Sequence, residues 1–194
     1  KNEGEIRGSK IVFGAGDMFS QAFTNTGNVA ASVEVGEGGE ILIAGGGKVQ
    51  NDGTLTANNA GKINIQGTDV TSAGAIEVKG GGAATVESTG TTIISGIVDA
   101  SNEEGIGGVL KFLGEKVGLF DATVNASGRD GGGEVLVGGD LQGSNPDVRN
   151  ALRTFVGDDV TITADATLSG DGGKVIVWAD EVTRFYGDIS AQGG

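Results

Sequence analysis

A small residue, usually a glycine pair, followed by one variable residue and then apolar–x–apolar recurs seven times along this chain. The phrase reads SKIVF, GGEILI, GKINI, GGAATV, GGVLKF, GGEVLV and GGKVIV, with Ile11, Ile41, Ile63, Ala84, Leu110, Val135 and Val175 at its first alternating position. Alternation with period two marks a strand that buries one face. The same phrase returning along the whole length marks stacked repeats, not one folded-up globule.

A second phrase, apolar–x–small, precedes each of these, led by Ile6, Val33, Leu55, Ile76, Val98, Val124, Leu168 and Ile189. The intervals cluster near about 21 residues, with longer ones before Val33 and Val124 and a doubled one before Leu168. A third, weaker apolar pair lies between neighbouring coils, such as Val117 with Leu119 or Val160 with Ile162. Three short strands per coil at a fixed period describe a parallel β-helix of about seven to eight coils, each roughly 21 residues long. Stacking at about 4.8 Å per rung gives a rod roughly 35 Å long. Residues 1–194 are read as one such rod. Ile189 and Ala191 start a further coil and Gly193-Gly194 is the turn after it, so the chain is expected to be a segment of a longer rod.

Composition agrees. There are 39 glycines and one proline, which suits many tight turns between short strands. A net charge of -13 with scattered basic residues argues against nucleic acid and against an anionic membrane surface. No run of 18 apolar residues is present, so no inserted span is expected. The absence of Cys and His removes disulfides, thiolate zinc sites and the usual general base. No catalysis and no cofactor are expected.

The doubled interval carries an insertion near 139–157 that should pack on the outside of the rod. Asn145 before Pro146 suits a helix start, with Val148 and Leu152 one helical turn apart, so a short helix or turn is expected at about 145–153. Leu136, Ile176 and Trp178 alternate outward, and Val148, Leu152 and Phe155 are expected to fold back over them. The same region holds the best candidate contact surface, Trp178, Arg184 and Tyr186 with Arg149 and Arg153, since aromatic and Arg side chains dominate binding hot spots. Elsewhere, the outward row Arg7, Glu34, Thr56, Glu77, Asp99, Asn125, Ser169 and Ser190 puts Glu77, Asp99 and Asn125 on consecutive coils. Oxygen ligands one strand spacing apart can share a Ca²⁺; a solvated polar face is the plainer alternative.

The phrases GRDGGGEVLVGGDLQGSN and GDGGKVIVWADEVTRFYGDISAQGG resemble the repeat region of filamentous-haemagglutinin-like large exoproteins, and GKVQNDGTLTANNAGKINIQG resembles it more loosely. The resemblance implies a right-handed parallel β-helix, secretion to the bacterial cell surface, and an outer-membrane transporter of the two-partner route as partner of the parent protein. It also implies an adhesin-like role, with a host or neighbouring-cell surface or glycan as partner. The family's N-terminal secretion-signal domain is not recognisable in these residues, so no export-signalling role is expected of this segment. Two other functions stay open: a polysaccharide lyase or glycosidase built on a β-helix, and an extracellular filament subunit that associates end to end.

Overall fold

Each coil contributes one strand to each of three parallel sheets, and every strand pairs with its equivalent one coil away. This computed structural model describes residues 1–16, 21–32 and 38–194. The sheets contain eight, seven and seven strands, and consecutive strands of the chain always fall in different sheets. That arrangement is the parallel β-helix expected from the repeat.

The second sheet follows the glycine phrase rung by rung. Ile11, Ile41, Ile63, Ala84, Leu110, Val135 and Val175 stand in one registered column. In the first sheet the inward column runs Ile6, Val29, Leu55, Ile76, Val98, Val124, Ile162 and Ile189. From Val29 to Ile162 these side chains are fully buried, each worth about 1.5–3 kcal/mol of transfer from water.

Two members of the expected first column change. Val33 and Glu34 lie outside the described residues, and the rung after Ile6 is led by Val29, with Ala30 outward. Leu168 is exposed in a turn, and the rung after Val124 is led by Ile162, with Thr163 outward in place of Ser169. Both Ile162 and Leu168 begin an apolar–x–small triplet. What decides is the turn that follows: the last coils share long turns that pair with one another through Asn102, Gly128 and Ala166. Ile162 leaves the matching length before Val175, whereas Leu168 does not. Val160 and Ile162 therefore do not form the third pair of their coil. Thr154 and Val156 do, registered on Val117 and Leu119.

The corners explain the glycines. At the turn between first and second sheets, a Cβ on Gly108 would sit 2.1 Å from the carbonyl oxygen of Gly82, and one on Gly133 would sit 2.1 Å from that of Gly108. Each rung's corner lies too close to the rung before it to admit any side chain. A second set behaves alike at the turn from third to first sheet, where Gly27, Gly53, Gly74 and Gly96 each approach the preceding rung.

Beside that second corner runs a buried polar column. Asn2 Nδ2 donates to Asn25 Oδ1 at 2.8 Å, Asn25 Nδ2 to Asn51 Oδ1 at 2.9 Å, and Asn51 Nδ2 to Ser72 Oγ at 3.1 Å. Farther along, the same column turns apolar at Ile94, Leu119 and Val156.

Because the clash at Gly108 is with main-chain atoms that cannot rotate away, Gly108→Ala should cost about 2–4 kcal/mol. Gly4 has open space around its Cβ position, so Gly4→Ala should stay within about 0.5 kcal/mol of the parent. Urea unfolding followed by circular dichroism measures both. Equal losses at the two sites would mean that corner contacts do not select glycine.

Candidate functional site

The insertion forms the first half of the site region. Residues 138–152 leave the rod between the second and third sheets, while Arg153–Val156 is already a rung of the third sheet. The expected extra-helical stretch is therefore shorter at its C-terminal end, because Thr154 and Val156 alternate inward and are buried. No helix forms. A 3₁₀ turn covers Leu141–Gly143 and a hydrogen-bonded turn spans 145–148. Asn145 folds its side chain onto local groups instead of starting a helix: its Oδ1 accepts from the Asp147 amide at 3.1 Å and its Nδ2 donates to Asp140 Oδ2 at 2.7 Å. Such local bonds compete with helix formation, and a segment this short cannot offset helix nucleation.

The cover expected over the outward apolar residues is present in part. Val148 packs with Leu136, Leu113 and Ile176 as a small buried cluster outside the rod. Leu152 stays exposed, and Phe155 faces a different side of the molecule.

Asp140 organises the loop. It accepts from the Asn145 side chain, from the Leu141 amide at 2.7 Å, and pairs with Lys174 at 3.3 Å. These bonds, the one from Asn145 first, hold its carboxyl down at about 2. Lys174 also meets Glu134 at 2.5 Å on the neighbouring rung, which raises the ammonium above its ordinary value. Arg149 ties the loop to the rod through its guanidinium, which donates to the Thr89 carbonyl at 3.0 Å. Trp178 lies beneath the loop: Cβ atoms on Gly139 or Gly143, both at positive φ, would come within 2.9 Å of the indole. Its Nε1 donates to Asp180 at 3.0 Å.

The five expected contact residues thus separate. Trp178 and Arg149 hold the loop, while Arg153, Arg184 and Tyr186 lie on or beside the outer face of the third sheet. There a groove of about 550 Å³ crosses four rungs. Lys116 and Arg153 are registered neighbours at one side, and Gly118, Phe155 and Arg184 follow one another along the next outward column. Gly118 leaves room in this column for the Phe120 ring, which folds back over it so closely that a Cβ there would lie 2.6 Å from the ring and displace it. Phe120 stacks on Phe155 with ring centroids 5.1 Å apart, and Tyr186 packs on the other side of Phe155 at 5.7 Å. Arg153 keeps a loose contact with Glu181 at 3.5 Å. Lys116, Phe120 and Phe155 were not among the expected contact residues. Alternation from the buried Thr154 would have pointed Phe155 outward, but only once Thr154 and Val156 were recognised as the third strand.

The acidic row is held by local bonds. Glu77 accepts from Thr56 Oγ1 at 3.4 Å, and Asp99 accepts from the Ser101 amide at 2.9 Å and pairs with Lys79 at 3.3 Å. Asn125 Oδ1 accepts from the Ser127 amide at 2.9 Å and from Thr163 Oγ1 at 3.0 Å. Among the described residues, no group of three or more His, Cys, Asp or Glu is placed to hold a metal ion.

A carboxyl whose folded value is depressed stabilises the state that holds it above its unfolded value, and the contribution is lost as pH falls through the folded one. The loop should stay closed from neutral pH to below about 3.8 and open only as pH approaches about 2. The single tryptophan reports it: the emission of Trp178 should shift to the red over that window, and over a higher window in Asn145→Ala. A Trp178 transition centred near pH 4 would show that these bonds do not hold Asp140 ionised.

No family model matches this chain, and no curated protein does. A solved structure does: the crystal structure of the HMW1 secretion domain from Haemophilus influenzae matches with a TM-score of 0.77 and 25% sequence identity, over 98% of this chain and 57% of that one. The chain therefore spans little more than half the length of that structure. Among the described residues no helix is long and apolar enough to cross a membrane. The matched neighbour is a secretion domain, the part of such proteins that was not recognisable in the sequence. The chain is a parallel β-helix, and its likeness to that secretion domain of a two-partner-secretion adhesin extends along nearly its whole length.

Proposed function

We propose that this chain is the β-helical part of a secretion domain in an exported surface exoprotein, engaged by an outer-membrane transporter of the two-partner route. The observation that carries the reading is the likeness of 98% of the chain to a domain whose described role is secretion. In this reading the rod is not catalytic. The chain has no His or Cys to act as base or thiol nucleophile, and the carboxylates of Glu77 and Asp99 are engaged by Thr56, Ser101 and Lys79. Its outer faces contribute contacts for attachment, and the third-sheet groove is the one at which cations and aromatic rings gather.

The chain placed behind a periplasmic export signal and ahead of a reporter tests this in a Gram-negative host. With a two-partner transporter co-expressed, the reporter should reach the medium; without it, the reporter should stay in the periplasm. Retention in the periplasm in both cases, with the rod folded, would overturn the secretion reading.

A further inference from the structure

We propose that the groove on the outer face of the third sheet binds an acidic polysaccharide of the polyuronate class. The proposal rests on the reading of the chain as an exported surface segment and names the ligand chemistry of that segment's third-sheet face.

The first argument is charge. The chain carries a net charge of -13, yet Lys116, Arg153 and Arg184 gather on three successive rungs around one groove. Among the described residues the side chains of Lys116 and Arg184 have no ion-pair or hydrogen-bond partner. Arg153 has one loose, exposed contact with Glu181, of a kind worth little. Two unpaired cations and a third held only loosely, gathered on an acidic molecule, mark a place where a polyanion would meet complementary charge. Guanidinium groups hold carboxylates through paired N–H bonds, a geometry ammonium cannot reproduce.

Spacing is the second argument. The cations recur with the rungs, at about 4.8 Å along the rod. A polyuronate carries one carboxylate per sugar ring, and because Arg184 stands one outward column over from Lys116 and Arg153, a chain crossing the rungs obliquely passes the three cations in turn.

The third is the floor. Phe120, which is 42% exposed, and the half-buried Phe155 form a stacked aromatic surface extended by the exposed Tyr186. Aromatic faces suit the apolar C–H faces of pyranose rings. An acidic peptide fits less well. The strands Lys116–Leu119 and Arg153–Val156, which carry Lys116, Phe155 and Arg153, are paired on both sides, so along them the groove floor offers no free main-chain groups for an added strand, the usual source of affinity for an extended peptide.

Titration calorimetry of the full chain with a galacturonate hexamer tests the proposal, with a neutral dextran hexamer, a sulfated hexasaccharide and a thymidine oligonucleotide as parallel probes. The galacturonate hexamer should bind, and Arg153→Gln/Arg184→Gln should weaken it at least tenfold. Arg184→Lys should lose several-fold by removing the paired N–H geometry while keeping the charge. All three side chains are exposed, so melting temperature and circular dichroism should match the parent. Binding that is absent, that survives the double variant, or that is equalled by the neutral, sulfated or nucleotide probe overturns the proposal. Export through the transporter without uronate binding would leave the secretion reading standing, and uronate binding without export would do the reverse.

Discussion

Everything in this rod depends on how closely one coil approaches the next. Parallel strands must lie about 4.8 Å apart to complete their hydrogen bonds, and the corners must come equally close or the coils would splay. At Gly108 and Gly133 the previous rung's carbonyl occupies the space a side chain would need. The glycine columns therefore let three flat sheets share one axis. The inward columns of Val, Ile and Leu then close over a narrow core whose members touch their own coil and the rungs above and below. Stability in such an array is a sum over neighbours.

That dependence also explains what could be read from the sequence. Corner glycines and the alternation after them are set by local backbone geometry, so all seven positions of the second-sheet column were legible. The first-sheet column was legible where one triplet stood alone, as at Leu55, Ile76 and Val98, and misplaced where two triplets competed, as at Ile162 and Leu168. The choice between those was made by turns stacking across coils, a contact with no local signature. The cover of Leu136 and Ile176 by Val148 was legible from outward apolar residues that needed burial, but the turn that delivers Val148 was not. Asn145 supports either a helix start or a side-chain turn, and only its contact with Asp140 decides.

The contact surface was legible in residue type but not in grouping. Arg153, Arg184 and Tyr186 meet at the third sheet because two successive rungs bring them there, whereas Trp178 and Arg149 spend their polar groups on Asp180 and Thr89 in holding the loop. The loop and the groove are thus different devices on adjacent faces. The loop shields apolar surface that the second sheet could not turn inward. The groove keeps apolar surface open and rims it with cations.

The buried column from Asn2 through Asn25 and Asn51 to Ser72 has a further consequence. Valine and isoleucine columns are interchangeable: a coil that skipped its neighbour and stacked on the next would still bury hydrocarbon against hydrocarbon. An amide cannot be moved so freely. Displaced beside Ile94 or Leu119 it would lose its partner in a dry interior, at a cost of about 1–3 kcal/mol for each group left unpaired. The polar half of the column thus acts as an address, recording which coil belongs beside which, and the apolar half needs none because the coils before it have already been counted.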